Sequence, residues 1–377
     1  MFGFGYESLV TANQGLLSDW LTGADNAQYF WSLGTAYCIA RLVAVVNYNM
    51  SPLIVEHFES VPHGLWAGVV ICGVSVLSAL VLALITCRCP PDKPRPSGPP
   101  GSPSRRRTTA AEESNGNEGG EEIRASHAQH FNASFWLICL LTAIWFGSFF
   151  PFNNIASGYL QEKYDPDCLS NVSWSAPCRK EATTHANAVM SIPLGLSAVL
   201  MPLVVWIVDQ IGLRPFWCVF ASVGLAASFV LLRFPVLDFL PSAEQPIPAM
   251  GLLGMSYAVF TAAIWPSMYL EVDEDHRGSA FAYASAIKNA ALSGVPMLIG
   301  YLRDRSSSLP PDAYDKVESY LLASSSFTVL LCLLLGCMST RRRGSRGHLN
   351  APTYATVQHP AYGSESSERS LSQGLMA

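Results

Sequence analysis

Charge is what this 377-residue chain has least of: 14% of its residues are Asp, Glu, Lys or Arg, against about 25% in a soluble domain. That is too little charge to cover the surface of a water-soluble fold of this size. A basic excess is missing too. With 23 Lys and Arg against 28 Asp and Glu, the net charge is −5, and no nucleic-acid partner is expected. The ten cysteines include no CxxC pair. Cys87 and Cys89 stand as CxC beside an apolar run, which is weak as a metal signal. The sequence contains no HExxH, no GxSxG and no phosphate-binding glycine loop. His57, His63, His127, His130 and His185 fall in loops or at helix edges without ligand spacing. No enzyme, no cofactor and no metal site is therefore expected. The start, Met1-Phe2-Gly3-Phe4-Gly5, has no basic n-region, so no cleavable leader is expected.

What the chain does have is apolar length. Half of its residues are hydrophobic, and they are gathered into long runs separated by short polar breaks. A helix needs about 20 mostly apolar residues to cross about 30 Å of hydrocarbon. By that measure spans are expected at 28–55, 64–87, 133–161, 187–208, 214–236, 247–270, 279–302 and 317–339. A ninth apolar stretch, 1–21, is interrupted by polar residues and ends in Asp19-Trp20, an interfacial anchor. The expected fold is all-α, a multi-pass transmembrane bundle in a lipid bilayer. Four regions follow: a partial N-terminal helical bundle over 1–87, a linker over 88–130, a six-helix bundle over 131–340, and a tail over 341–377. The linker and tail are rich in Pro, Gly, Ser and blocks of charge and bury too little apolar surface to order themselves, so both are expected to be disordered.

Orientation follows from Lys and Arg flanking the spans. Arg88, Arg105, Arg106 and Arg107 follow the second full span, and Arg341, Arg342 and Arg343 follow the last. Six spans lie between them, so both places belong to one side, the cytosol. The loop 162–186 then faces the lumen or the outside. It holds Cys168 and Cys178 and the sequon Asn171-Val172-Ser173; a disulfide and a glycan both suit that compartment. The second sequon, Asn132-Ala133-Ser134, lies at the cytosolic edge of a span and is expected to stay unmodified.

Three ionisable residues lie deep in spans, each costing on the order of 2.5–3.5 kcal/mol on the insertion scale unless paired or hydrated. Glu7 is 13 residues before Trp20, and Arg41 is 13 after Gln28. At about 1.5 Å per residue both lie roughly 20 Å from the cytosolic face. Either they form a structural ion pair, or they hold the two ends of a zwitterionic ligand. Glu7 is the one deep carboxylate able to carry a proton. Lys288 lies 10 residues beyond Gly278, roughly 15 Å deep. Either it binds a carboxylate or titrates, or it snorkels along its stem to the face. Asn47, Asn49, Asn153, Asn154, Tyr257 and Asn289 add polar groups that must face protein or water. Pro52, Pro151, Pro193, Pro202, Pro266 and Pro296 lie within spans or near their ends. A buried proline removes a backbone hydrogen bond and bends the helix, as transporter helices do around a midplane site.

Several stretches resemble the major facilitator superfamily, and within it a branch of lysosomal dipeptide transporters. Phe2-Gly3-Phe4-Gly5-Tyr6-Glu7-Ser8-Leu9 resembles that branch's fourth helix. Ala40-Arg41 with Val46-Asn47-Tyr48-Asn49 resembles the fifth. Phe135-Trp136-Leu137-Ile138, Phe150-Pro151-Phe152 and Gln161-Glu162-Lys163-Tyr164 resemble the seventh. Gly254-Met255-Ser256-Tyr257 and Ala263-Ile264-Trp265-Pro266 resemble the tenth, and Gly278-Ser279-Ala280-Phe281-Ala282-Tyr283 the eleventh. Asp209, Gly212 and Arg214 resemble the loop signature between the eighth and ninth helices.

The resemblance implies a twelve-helix fold of which roughly the first three helices are absent from this chain. It implies a secondary transporter working by alternating access on dipeptides or similar zwitterions, in a lysosomal or vacuolar membrane. Glu7 and Arg41 would take the amino and carboxylate ends of the substrate, with Asn49, Tyr257 and Lys288 completing the site. Lys288 stands where the resemblance expects an uncharged polar residue, and Asn153 and Asn154 where it expects smaller ones. A heavily glycosylated single-pass accessory protein is the implied partner. Tyr354-Ala355-Thr356-Val357 fits a tyrosine-based sorting signal, with Tyr354 and Val357 as its recognised positions. The competing readings are a truncated membrane protein acting by contacts alone, a carrier of a sugar or organic anion, and a plasma-membrane location.

Overall fold

The computed structural model describes residues 26–58, 61–88, 131–165, 177–234, 241, 244–272, 276–306, 312–341 and 349. The stretch 1–21, the linker from 89 onward and the tail beyond 349 lie outside the described residues. Every regular element among those described is helical. The helices are α1 Asn26–Phe58, α2 Val61–Arg88, α3 Ala133–Tyr164, α4 Pro177–Ile211, α5 Arg214–Arg233, α6 Pro246–Glu271, α7 Arg277–Asp304 and α8 Asp315–Arg341, with a 3₁₀ turn at Asp312–Tyr314. Six are long and apolar enough to cross a membrane.

The helix bounds match the expected spans closely, with one difference. α4 begins at Pro177, ten residues before the expected start at 187. Its first turns carry Cys178, Arg179, Lys180 and Glu181. Apolar length measures what sits in lipid, whereas the hydrogen-bonded ladder continues through polar residues beyond it. Part of the expected loop 162–186 is therefore helix. Two of the expected spans are not among the six apolar helices: in α1 the apolar stretch is the shorter Cys38–Met50, and in α7 Lys288, Asn289 and the serines dilute the apolar run.

Around the bundle, α1 packs on α4, α4 on α6, α6 on α5, α5 on α8, α8 on α3 and α3 on α7. α3 and α6 are the inner helices. Trp145, Phe149, Phe152 and Tyr159 of α3 and Tyr257, Phe260 and Ile264 of α6 are almost wholly buried. α2 touches chiefly α1, and its apolar window is exposed throughout, as a lipid-facing or partner-facing helix would be.

Close packing rests on small residues where two helices meet, as in lipid generally. A Cβ on Gly254 would stand 2.6 Å from the Pro193 carbonyl oxygen and 2.7 Å from its Cα. Gly254 thus lets α6 press against the proline kink of α4. The start of α3 is capped by Asn132, whose Oδ1 accepts the Phe135 N–H at 2.9 Å, satisfying one of the end donors. The sequon asparagine expected to be unmodified is thus engaged as a cap. Between α4 and α5 the chain reverses through Gly212 at φ 69° and Leu213 at φ 47°. Leu213 accepts the left-handed conformation at a cost of roughly 1–2 kcal/mol, which makes the turn short enough for the next residue to start α5. The Arg214 N–H donates to the Leu349 carbonyl at 3.2 Å, and Leu349 is buried.

Candidate functional site

α1 and α4 run antiparallel, since Val45 meets Gly195 and Asn49 meets Ser191. The start of α1 therefore lies at the same end of the molecule as the ends of α6 and α8. Arg41 is fifteen residues into α1, and Tyr257 fourteen residues before the end of α6. At about 1.5 Å per residue both lie about 21–23 Å from that end, near the middle of a bilayer. There the Arg41 guanidinium donates through Nη2 to the Tyr257 hydroxyl. It also lies 4.9 Å from the Tyr257 ring centroid and 5.3 Å from that of Phe150. Arg41 Nε is buried with no hydrogen-bond partner among the described residues. A guanidinium carries five donors, so this one retains capacity for an acceptor. Aromatic faces stabilise it by about 2 kcal/mol or more when water is excluded.

Behind Arg41 is a floor of aromatic rings from α3 and α6. Trp145 stacks on Phe260 at 4.2 Å, and Phe149 on Tyr257 at 4.5 Å. Phe146 touches Phe150 at 5.7 Å, Tyr257 at 6.2 Å and Trp265 at 6.2 Å. Lys288 Nζ lies 5.9 Å from the Trp265 ring centroid. The structure thus brings Arg41, Tyr257 and Lys288 to one continuous aromatic surface. Asn49 sits two turns beyond Arg41, donating to Ser191 Oγ at 2.9 Å and to the Val45 carbonyl at 2.8 Å. Next to it, Asn153 Nδ2 donates to the Tyr48 hydroxyl at 3.0 Å. Asn47, Asn49 and Asn154 are all exposed. Asn289 Oδ1 is buried with no hydrogen-bond partner among the described residues.

Glu7, Cys168, Asn171, Tyr354 and Val357 lie outside the described residues. Cys178 is disulfide-bonded, and it stands at the second position of α4. In the α4–α5 turn, Arg214 is 1% exposed and its Nη2 lies 3.7 Å from Asp209 Oδ1. Gly212 supplies the positive φ between them.

The sequence reasoning missed a second charged cluster, at the opposite end of the bundle. Glu318 of α8, 6% exposed, pairs with Lys163 of α3 and lies 3.6 Å from Arg233 of α5. It also accepts from the Tyr159 hydroxyl at 2.8 Å. Beside it Arg303 of α7 pairs with Glu162 and lies 4.8 Å from the Tyr314 ring centroid. Burial, then the Glu162 charge, pushes the Tyr314 phenol up to about 12. The depth argument used for Glu7 and Arg41 would have found this cluster, since Lys163, Arg233 and Glu318 all stand at helix ends on one side.

These features define a multi-pass helical membrane protein with a cation held at mid-depth where helices of two regions meet, the place where secondary transporters bind their solutes. The chain belongs to the Major Facilitator Superfamily, whose family model matches residues 1–296. It is 24% identical over 354 residues to the lysosomal dipeptide transporter MFSD1 of Bos taurus, covering 92% of this chain and 65% of that protein. Against the Homo sapiens protein of the same name it is 24% identical over 359 residues, covering 93% and 66%. Against that of Danio rerio it is 24% identical over 340 residues, covering 89% and 62%. The chain thus spans a little under two thirds of the length of these relatives.

Proposed function

We propose that this protein is a secondary transporter that carries dipeptides or similar zwitterions by alternating access across a lysosomal or vacuolar membrane. The observation that carries this reading is Arg41. A permanent cation stands about 21–23 Å into the bundle, contacting Tyr257 of α6 and Phe150 of α3. An intramembrane charge kept at such cost is a functional site by default. A guanidinium fork suits a carboxylate. The names of the relatives, lysosomal dipeptide transporters, support the substrate class and the organelle.

In this reading Arg41 holds the substrate carboxylate and Glu7 its amino group. Tyr257 orients the guanidinium, and Asn49 and Lys288 line the path. The halves that rock are 1–87 and 131–340, joined by the linker 88–130, with the tail 341–377 in the cytosol. Asp209, Gly212 and Arg214 form the cytosolic turn that stiffens α4 against α5. The opposite side, carrying the Glu318 cluster, is lumenal; there Cys178 pairs with Cys168, and Asn171 carries a glycan. Tyr354 and Val357 act as the sorting signal, and a glycosylated single-pass protein as the accessory partner.

The test is uptake of a dipeptide panel by the full chain in proteoliposomes, with Arg41→Ala as control. Saturable uptake of dipeptides, lost in the variant, is the expected result. Uptake of free amino acids or sugars in preference to dipeptides, or dipeptide uptake that persists unchanged in Arg41→Ala, would refute the reading.

A further inference from the structure

The aromatic floor carries two cations, and the first of them already accounts for a zwitterion's single carboxylate. Lys288 begins eleven residues into α7, about 16 Å from the end that α6 and α8 share with the α7 start. Its Nζ lies 5.9 Å from the ring centroid of Trp265, which is only six residues from the end of α6, or about 9 Å. The side chain therefore runs toward the cytosolic side, as a snorkelling lysine does. It stops over a ring that is itself 8% exposed and still two turns inside the helix, so the ammonium stays within the protein.

Trp265 and Tyr257 lie eight residues apart on α6, about 12 Å, with Phe146 touching both rings at 6.2 Å. A dipeptide backbone is about 7 Å long. An acidic side chain extends it far enough to approach both platforms, and the flexible four-carbon stem of lysine covers what remains. Between them the half-buried Phe150 offers an apolar face to the peptide body.

Resting on the transporter reading above, we propose that Lys288 is a specificity-determining residue that takes a second carboxylate, so that the preferred substrate is a dipeptide with an acidic side chain. Arg41 engages one carboxylate over Tyr257 and Phe150, and Lys288 engages the other over Trp265. A basic side chain placed at the second platform meets a like charge and is disfavoured.

The experiment compares initial uptake rates of Ala-Ala, Ala-Glu, Glu-Ala and Ala-Lys by the full chain in proteoliposomes, for wild type, Lys288→Gln, Lys288→Arg and Lys288→Glu. In wild type an acidic dipeptide outpaces Ala-Ala. The acidic-to-neutral ratio falls about tenfold in Lys288→Gln, the loss expected for one charge-assisted contact. Lys288→Arg keeps the ratio, and Lys288→Glu shifts preference to Ala-Lys. A ratio unchanged in Lys288→Gln while Ala-Ala is still carried overturns the subsite and leaves the transporter reading standing. If no dipeptide is carried by wild type, both fall. Should Lys288→Gln fail to fold, wild type decides: equal rates for Ala-Ala and both acidic dipeptides overturn the proposal.

Discussion

The two charged clusters of this molecule solve the same problem in opposite ways. At the end of the bundle opposite the α4–α5 turn, the Glu318 carboxylate meets Lys163 and the Tyr159 hydroxyl of α3 and Arg233 of α5. At mid-depth Arg41 meets one hydroxyl and two ring faces, and its Nε has no hydrogen-bond partner among the described residues. The first site is charge-paired from within the fold, with two cations and a hydroxyl around one carboxylate. The second is held in place but not neutralised by the groups seen around it. A saturated buried charge ties helices together, whereas an under-satisfied one keeps free energy available for a ligand. Burial alone does not distinguish the two; the inventory of partners does.

That contrast breaks first at Glu318. Replacing it with Ala leaves Lys163 and Arg233 facing each other with their shared partner gone, a loss of about 3–5 kcal/mol by analogy with other broken buried pairs. A lower melting temperature in detergent and poorer recovery of monodisperse protein are expected; a variant as stable as wild type would show the cluster to be idle. Arg41→Ala sharpens the comparison from the other side. Transport is expected to fall about a hundredfold, of order 2–5 kcal/mol for truncating one member of a buried charged contact. Its melting temperature is expected to move much less than that of Glu318→Ala, because no carboxylate in the described structure depends on Arg41. Tyr257→Phe keeps the ring and removes the hydroxyl that holds the guanidinium. An increase in KM of about tenfold is expected with the fold intact, the worth of one hydrogen bond to a charged group. Asn49→Ala has the smallest effect. A single interhelical hydrogen bond in a membrane averages about 0.6 kcal/mol, so a twofold to threefold change in uptake rate is expected.

Much of the fold was legible in the sequence because the bilayer sets a length. A run such as 214–236 must be helical to satisfy its backbone in lipid, and the helix found is Arg214–Arg233. α4 shows where that reasoning stops. Its first ten residues are helical yet polar, and nothing about crossing lipid requires them. The matching depth of Arg41 and Tyr257 was also within reach of counting residues. Which side chain would meet Arg41 was not: Phe150 lies more than a hundred positions along the chain, and its ring reaches the guanidinium because α1 packs on α4, whose other neighbours are α6 and α3. Asn47 and Asn49 looked alike in the sequence. Both are exposed in the structure, and it is Asn49 that the helical phase brings within reach of Ser191.

By itself the sequence determined that this protein lives in a membrane, how many residues each helix spends there, and which residues are too costly to stand in lipid without a reason. Those conclusions follow from transfer free energies, which depend on composition and length. Only the tertiary structure decided which of the costly charges are answered from within. That depends on how helix faces far apart in the chain are turned toward one another, and a one-dimensional pattern carries no such information. Among the described residues Glu318 meets two cations and Arg41 meets no carboxylate, because three helix ends converge on the first while aromatic faces and a single phenol converge on the second.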